Sequence, residues 1–357
     1  MDRRVITERG TILIAVILVG WALHAMASVV VPVLLSILLA AIVAPVERGV
    51  RQAMPGAFAW LGLVAAACVV LAALGVFGLS MWFAADRIAN AFDGDAAGVR
   101  DLLERARDGD GQVFGQSVRD ILGTVGERAI GVVSSVSRSL AESLAGAAIG
   151  IVLSLFLMIL ILSDARRWRG ALDAVGGETQ AAHVAALVAA IAHKLRVFFL
   201  TRAALGVLQA VLYISWLAVF GLDLLAVWGI LTFLLTFVPN IGSIVSGSLP
   251  ALYALTTRDL GTAAGIAAGI FAIEQIVGNY IDPKVQGRQL ALSPTVILVA
   301  VVGWGWILGL AGAILAVPIT IAIVVVMANV KELRPAALLL SDRTDFAALD
   351  EVTRVSP

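Results

Sequence analysis

Six long stretches of the chain contain no Asp, Glu, Lys or Arg, and charged segments separate them. They are Gly10–Val46, Gln52–Ala85, Ser143–Ser163, Ala203–Leu222, Leu224–Thr257 and Gln289–Val330. A helix that spans a membrane needs about 20 apolar residues. The third and fourth stretches therefore predict one helix each, and the second predicts one helix from about Phe58 to Phe83. The other three stretches are too long for a single span.

The first stretch predicts two helices. Pro32 lacks an N–H group and disfavours helix in the residue before it, so we expect a break near Ser28–Pro32. Pro45 is expected to end the second helix.

The last two long stretches share a short–break–short pattern. Turn-forming residues interrupt the first at Pro239, Asn240, Gly242 and Ser243, and the second around Gly303, Gly305 and Gly309. The apolar pieces on either side are short for full spans, which favours re-entrant helical hairpins whose tips line a polar pathway. Ordinary turns outside the membrane are the alternative, and the pattern leaves open whether each pair is re-entrant or fully spanning.

Composition supports a membrane protein. Of the 357 residues, 61% are apolar and only 14% are charged, against roughly 25% charged in a soluble domain. The net charge of zero argues against nucleic acid as a partner. Cys68 is the single cysteine, and the three histidines do not have the spacing of metal ligands. Motifs for hydrolysis or ATP binding are also missing, so we expect no enzyme activity, metal or cofactor.

The distribution of basic residues predicts the topology. Residues 164–202 contain six basic and three acidic residues, whereas Asp86–Glu142 contains seven basic and ten acidic residues. The N-terminal tail and the loop after the second helix are also basic. Cytoplasmic loops carry the excess of Lys and Arg. We therefore expect both termini in the cytoplasm and Asp86–Glu142 outside.

Two polar segments have helical periodicity. In the outer one, apolar residues recur every three or four positions from Phe114 to Leu144, and this stripe either lies in the membrane interface or packs on another surface. The inner one begins with the basic run Arg166–Arg169, which suits lipid headgroups. The predicted regions are membrane helices (1–85), an outer amphipathic segment (86–142), a membrane helix (143–163), an inner amphipathic segment (164–202), a C-terminal membrane region with two hairpins (203–330) and a cytoplasmic tail (331–357).

Glu274 is the one acid deep within an apolar stretch, Gly261–Ile281. A carboxylate in the bilayer is costly, so such a residue is neutral or paired, and it is a candidate carrier of a proton or cation. Gln275 and Asn279 share a neighbouring face of the same helix and join it as candidates. The alternative is that Glu274 only makes a hydrogen bond between helices.

Three ordered motifs lie in the C-terminal part of the chain: the segment Phe237–Pro250, the segment Glu274–Leu290, and the pair Ser293-Pro294 followed by Gly309–Pro318. Together they resemble the autoinducer-2 exporter family of bacterial membrane proteins. The family-motif residues within the last two segments are Asp282, Pro283, Gly287, Pro294, Gly312 and Pro318. The resemblance implies an all-helical permease that exports a small polar signalling molecule, with exchange of Na⁺ or Li⁺ for H⁺ in some relatives. It also implies a homo-oligomer, with a pentamer as one form.

The sequence thus predicts an all-α polytopic integral membrane protein with about eight membrane segments, two of them broken hairpins, and long amphipathic helices. The predicted function is facilitative or ion-coupled export of a small polar solute such as autoinducer-2. A Na⁺(Li⁺)/H⁺ antiporter is one alternative. A scaffold or regulator that transports nothing, with the Phe114–Leu144 stripe as its binding face, is the other.

Overall fold

The structure is a computed structural model. It describes residues 3–54, 58, 60–105, 112–113, 116–238, 241–286 and 292–353, and between residues 88 and 148 it describes the backbone without the side chains. All statements below concern these residues.

Helices account for nearly all of the described chain, which confirms the all-α prediction. In order, the helices are α1 (Arg3–Ala25), α2 (Ala27–Ala53), α3 (Leu61–Arg105), α4 (Val118–Val219), α5 (Leu225–Leu235), α6 (Ile241–Thr257), α7 (Leu260–Ile276), α8 (Asp282–Gln286), α9 (Pro294–Asn329), α10 (Arg334–Leu340) and α11 (Phe346–Thr353). A π-helical turn, Val277–Ile281, joins α7 to α8. Two-residue strands β1 (Gln112–Val113) and β2 (Gln116–Ser117) form one antiparallel pair between α3 and α4.

Within the described residues, five helical segments are long and apolar enough to cross a membrane. These are Ala27–Ala53, Leu61–Ala84, Gly177–Val219, Leu260–Ile281 and Pro294–Asn329. The pair Ile149–Ala165 and Arg167–Val175, which meet at 53°, makes a sixth if it is counted as one span. Two shorter apolar helices lie at Leu225–Leu235 and Gly242–Leu255. A polytopic membrane protein is thus confirmed, but a count of eight membrane segments is not.

The first apolar stretch does form two helices, but the break lies at Met26 rather than at Ser28–Pro32. The prediction that Pro45 ends the second helix is wrong, because Pro32 and Pro45 both lie inside α2, which continues to Ala53. Proline removes a single N–H donor, and apolar membrane helices tolerate that loss where neighbouring groups satisfy the freed carbonyl.

Helix α4 runs from Val118 to Val219 with one non-helical residue, Gly177 (φ 73°, ψ 166°). The backbone is thus helical from Val118 through Leu144 into the apolar stretch after it, whereas Gln116 and Ser117, which the predicted helical periodicity includes, form β2. Phe114 lies outside the described residues, and the surface that the stripe covers stays a prediction.

The chain divides into two compact units, and each is described by itself. The first comprises Met1–Ala72, Ile149–Phe199 and Gln286–Pro357. Its core is built on the second half of α9, where Val317, Ile321 and Val324 are buried against Phe198 and against Ala337 and Leu349 of the two short C-terminal helices. Arg334 of α10 pairs with Asp350 of α11 at 2.5 Å, which ties the two C-terminal helices together.

Helix α9 folds back on itself at Gly309. This residue has φ 67° and ψ −152°, a combination that is almost restricted to glycine. A Cβ atom on Gly305 would lie 3.5 Å from Cβ of Ala313, eight residues later, whereas eight residues of straight helix rise about 12 Å. The Gln289–Val330 stretch therefore contains a helical hairpin, with its reversal at one residue of the predicted Gly303–Gly309 break.

The second unit comprises Ala73–Ala148 and Leu200–Val285. Its core is formed by the C-terminal part of α4 together with α5, α6 and α7, and includes Tyr213, Leu217, Trp228, Tyr253 and Ile266. Helices α5 and α6 pack against each other through Trp228 and Tyr253, whose rings lie 5.6 Å apart. The Leu224–Thr257 stretch is thus a second helical hairpin, in which α5 ends at Leu235 and α6 begins at Ile241. Gly242 and Ser243 lie in the first turn of α6, and the expected place of Pro239 and Asn240 at the tip stays a prediction.

Candidate functional site

Glu274 lies in the last turn of α7 and faces α4. The Tyr213 hydroxyl donates a hydrogen bond of 2.6 Å to Oε1 of Glu274, and the Gln209 side-chain amide donates to the same oxygen. Tyr213 and Gln209 are buried, and Glu274 is half-buried. Both donors are neutral and lie one helical turn apart on α4, so they stabilise the carboxylate without neutralising it.

Two glycines on α7 bring this helix close to α4. A Cβ atom on Gly269 would overlap the indole ring of Trp216, and one on Gly265 would lie 3.0 Å from the ring of Phe220. Small residues four positions apart let two helices approach closely. We call the surface of α7 at Gly265 and Gly269 the glycine notch. Trp216 and Phe220 of α4 pack into it, and this contact sets the position along the helix axis at which Tyr213 lies beside Glu274.

The polar cluster extends to the α5–α6 hairpin. The Thr236 hydroxyl lies 3.4 Å from Oε1 of Gln209 and donates to the carbonyl of Thr232 at 2.7 Å. On α6, a Cβ atom on Gly247 would lie 3.4 Å from the hydroxyl of Tyr213, so this glycine leaves room for that group. Residues of α4, α5, α6 and α7 therefore converge at Glu274, and we call Glu274, Gln209, Tyr213 and Thr236 the Glu274 cluster.

Two buried polar atoms near this cluster have no hydrogen-bond partner among the described residues. They are the hydroxyl of Thr232 and the indole N–H of Trp216. An unsatisfied buried polar group costs about 1–3 kcal/mol. Such groups are satisfied when water or a polar solute reaches them.

An ion pair joins α4 to the segment after α7. The Arg202 guanidinium donates to Oδ2 of Asp282 at 3.0 Å, and Arg202 is only 8% exposed. Asp282 is the first residue of α8, directly after the π-helical turn.

The other two candidates on this helix do not join the cluster. Asn279 donates a side-chain hydrogen bond to Gln275, and both side chains are exposed. They lie on a different face from Glu274, as their positions in the helix predict. Their role in a pathway stays a prediction.

The α5–α6 turn brings two backbone segments into close contact. The Gly242 N–H donates to the carbonyl of Val238 at 2.9 Å, and a Cβ atom on Gly242 would collide with the backbone carbonyl of Leu235. Gly242 is buried and Ser243 is half-buried. Pro239 and Asn240 lie outside the described residues, so the structure does not test their expected place at the tip.

At the reversal of α9, His24 of α1 contacts the hairpin. Its Nδ1 atom lies 2.9 Å from the carbonyl oxygen of Ile307, and its ring stacks on Trp306. Gly303 and Gly305 lie in the helical arm before the reversal. The carbonyl of Ile307 precedes the non-helical Gly309 by two residues, so His24 contacts the backbone directly before the reversal.

The family-motif residues occupy structural positions. Pro294 is the first residue of α9, where Ser293 caps the helix by accepting a hydrogen bond of 3.2 Å from Val296 N–H. Gly312 is buried where the two arms of α9 meet, since a Cβ atom there would collide with the carbonyl of Trp304. Pro318 is buried inside α9, Pro283 follows Asp282 in α8, and Gly287 lies outside the described residues.

Asp259, the residue before α7, has a structural role. Its side chain accepts hydrogen bonds from the N–H and the hydroxyl of Thr262 at 3.0 and 2.7 Å, and so caps α7. These hydrogen bonds hold the pKa of Asp259 below its usual value. The described residues contain no group of three or more His, Cys, Asp or Glu side chains that could hold a metal ion.

Sequence reasoning missed the partners of Glu274 on α4. Arg202, Gln209, Tyr213 and Trp216 are spaced by seven, four and three residues, which places them on one face of a helix. The apolar stretch Ala203–Leu222 contains few other polar side chains, so this face was visible in the sequence. The pairing of that face with Glu274 was not, because the two segments are more than 60 residues apart.

The chain is similar to a known protein family and to several individual proteins of bacteria. The model of the family described as AI-2E family transporter matches residues 11–332. The chain is similar to a candidate transport protein of Haemophilus influenzae, with 40% identity over 33% of this chain and 34% of that protein. It is also similar to the AI-2 transport protein TqsA of Escherichia coli, with 31% identity over 41% of this chain and 42% of that protein.

A third relative is matched over most of its length. A candidate transport protein of Mycobacterium tuberculosis is 28% identical over 86% of this chain and 84% of that protein. The chain spans about a third of the Haemophilus protein and two fifths of TqsA in these matches.

Proposed function

This chain belongs to the AI-2E family of transporters, and we propose that it moves a small polar solute across the bacterial inner membrane. The observation that carries the proposal is Glu274, an ionisable residue in the candidate span Leu260–Ile281, held by the neutral donors Gln209 and Tyr213. Acids retained inside apolar spans are expensive and mark pathways for protons, ions and polar substrates.

The Glu274 cluster supplies the chemistry that such a pathway requires. Carboxylate, amide and hydroxyl oxygens can replace the water around a polar solute, and the unsatisfied hydroxyl of Thr232 and indole of Trp216 add two nearby donors. The solute we propose first is a small hydroxylated signal of the autoinducer-2 type, because one similar protein has AI-2 transport in its name.

Coupling to a cation is the second candidate. Glu274 could carry a proton in one direction while Na⁺ or Li⁺ uses the surrounding oxygens in the other. The converging oxygens of Glu274, Gln209 and Thr236, with the carbonyl of Thr232, favour it, because hard cations take oxygen ligands. A scaffold that transports nothing is the remaining alternative, with the Phe114–Leu144 stripe as its surface.

A flux assay separates these functions. The purified full chain is reconstituted in liposomes and tested with autoinducer-2, a panel of small polar metabolites, Na⁺ and Li⁺, each with and without a pH gradient. Uptake or release of one solute above that of protein-free liposomes supports transport, and Na⁺ movement that acidifies or alkalinises the lumen supports exchange. If nothing in the panel moves, and mutations in the stripe alone change a phenotype in cells, the scaffold account replaces both.

The topology that we propose has both termini in the cytoplasm and residues 86–142 outside. Single cysteines in a Cys68→Ser background test it with a membrane-impermeant thiol reagent. Labelling of Ser117→Cys from the periplasmic side of spheroplasts is expected, together with labelling of Thr344→Cys, at an exposed position of the C-terminal tail, only after lysis. The reverse pattern would invert the orientation.

A homo-oligomer is also part of the proposal. The exposed amide pair Gln275 and Asn279 lies on an apolar candidate span, where contact with a second copy would shield polar atoms from lipid. Cross-linking of Asn279→Cys in membranes is expected to give a ladder of multimers. If cross-linking yields only the monomer, both in cells and in mild detergent, the homo-oligomer is contradicted.

A further inference from the structure

Helix α4 contacts the α7–α8 segment at two polar points. Gln209 and Tyr213 meet Glu274 at one point, and Arg202 meets Asp282 at the other. The two segments run antiparallel, because residue numbers rise along α4 as they fall from Asp282 to Glu274. Eight residues separate the two acids, a rise of about 12 Å in α-helical geometry.

In a regular α-helix these two acids would not face the same neighbour. Each residue turns the helix by about 100°, so eight residues leave Asp282 about 80° away from the direction of Glu274. The structure resolves this mismatch with the π-helical turn Val277–Ile281, in which the Asp282 N–H donates to the carbonyl of Val277, five residues back. One extra residue in the turn removes about 100° of rotation, and the two acids then differ by about 20°.

The π turn therefore needs something to hold it. Such turns are rare, because an α-helical turn of the same residues is ordinarily preferred. The Arg202–Asp282 pair begins where the turn ends, and the Arg202 side chain is nearly buried. A relaxed α-helical turn would swing Asp282 away from Arg202 and leave a buried cation without this carboxylate, which is strongly unfavourable.

We propose that Arg202 and Asp282 are positioning residues for Glu274: their ion pair holds the π-helical turn in the register that points Glu274 at Gln209 and Tyr213. This inference rests on the proposed function of Glu274, to which it adds the device that sets its position. Neither residue of the pair contacts Glu274 directly in the hydrogen bonds described above, so they act through the backbone between them.

The hydrogen bond from Tyr213 gives a readout that does not depend on transport. The chain has three tyrosines, Tyr213, Tyr253 and Tyr280, so fluorotyrosine labelling of the reconstituted protein gives three ¹⁹F resonances. Tyr213→Phe identifies one of them, and Glu274→Gln shows where that resonance moves when the carboxylate is lost. Tyr253 reports on the core of the second unit, and Tyr280 reports on the π turn itself.

Four variants test the proposal: Arg202→Gln, Asp282→Asn, the double neutral variant and the exchange R202D/D282R. In both single variants the Tyr213 resonance should leave its wild-type position, the Tyr280 resonance should move with it, and the Tyr253 resonance should stay. The double neutral variant, whose net charge is unchanged, should behave like the single variants. The exchange should return Tyr213 to its wild-type position.

Opposite results would overturn the inference. A Tyr213 resonance at its wild-type position in Arg202→Gln and Asp282→Asn means that the pair does not position Glu274. Shifts in the two single variants that cancel in the double neutral variant mean that charge acts through space and not through the turn. A Tyr253 resonance that moves from its wild-type position would indicate that the variant is misfolded. In that case Arg202→Lys and Asp282→Glu replace the neutral variants.

These two conservative variants keep both charges but change the length of one side chain. Smaller movements of the Tyr213 and Tyr280 resonances are expected, and no movement of either would overturn the inference. Flux is measured on the same liposomes. Absence of any flux in the wild type, with the predicted resonance shifts present, contradicts the proposed function and leaves the positioning of Glu274 by the pair in place.

Discussion

The Tyr213 hydroxyl donates a hydrogen bond of 2.6 Å to the carboxylate of Glu274, from a buried position on α4 to the last turn of α7. Hydrogen bonds to charged groups contribute about 1.5–3 kcal/mol, roughly twice the value for neutral pairs. This contact and the one from Gln209 are the means by which an acid can be kept in an apolar helix. They also make Glu274 sensitive to any movement of α4.

Removing the hydroxyl should weaken the site without unfolding it. Tyr213→Phe leaves the ring in place and removes one of the two donors to Glu274, so we expect solute flux to fall by about tenfold or more. Tyr253→Phe is the matched control, because it deletes a hydroxyl from a buried tyrosine in the same unit. Equal flux in the two variants would show that the Tyr213 hydrogen bond has no part in transport.

The glycine notch of α7 should be intolerant of a methyl group. Gly269→Ala places a Cβ atom in the indole of Trp216, which forces the helices apart and should lower the free energy of unfolding by about 1–3 kcal/mol. Gly78→Ala in α3 is the control, since a Cβ atom there meets nothing within 4 Å. Thermal unfolding in detergent measures the difference. An unchanged melting temperature in Gly269→Ala would mean that α4 and α7 are not packed this closely.

The reversal of α9 depends on the conformation of Gly309. An L-residue at φ 67° and ψ −152° costs about 1–3 kcal/mol, so Gly309→Ala should destabilise the hairpin by that amount. Gly303→Ala is the matched control, because Gly303 is helical and a Cβ atom there meets nothing within 4 Å. Protease sensitivity of the α9 hairpin in membranes, compared between the two variants, checks the result. Equal sensitivity would contradict the reversal at Gly309.

The cap of α7 should respond to acid. Because the folded pKa of Asp259 is below its usual value, the charged side chain stabilises the native state above the unfolded pKa of about 3.9. That contribution is lost as the pH falls through the lower, folded pKa. The melting temperatures of the wild type and Asp259→Asn should therefore differ slightly at pH 7 and converge at the acid end. Asp223→Asn, which removes another exposed carboxylate, serves as the control. A difference in melting temperature between the wild type and Asp259→Asn that stays constant with pH would refute the cap.

The sequence predicted the elements better than their contacts. The charge-free stretches located the apolar helices, because these depend on local composition. Among the turn formers of the last stretch, Gly309 marks the reversal of α9, whereas Gly303 and Gly305 are helical. The prediction at Pro45 was wrong, because one missing N–H does not by itself end a helix, and α2 continues through the charged residues Glu47, Arg48 and Arg51 to Ala53. The predicted count of eight membrane segments was not confirmed either. The length of an apolar stretch does not distinguish a short helix of a hairpin, such as α5, from a helix that spans the membrane.

The candidate site was predicted in part. Glu274 stood out as an acid in an apolar stretch, and no knowledge of the fold was needed to single it out. Its partners Gln209 and Tyr213, and the pair Arg202–Asp282, depend on the antiparallel packing of α4 on α7. The π-helical turn depends on that packing as well, and no residue pattern in Val277–Ile281 predicts it.

The most direct test of the account is the pH dependence of flux in liposomes that contain Glu274→Gln. The amide has nearly the size of the protonated acid, so this variant should still bind solute but lose the pH dependence of transport, while Glu274→Asp retains part of the flux. Asp223→Asn, which makes the same chemical change at an exposed position, should keep the wild-type profile. A wild-type pH profile in Glu274→Gln would contradict the account and leave Glu274 as a structural hydrogen-bond acceptor between α4 and α7.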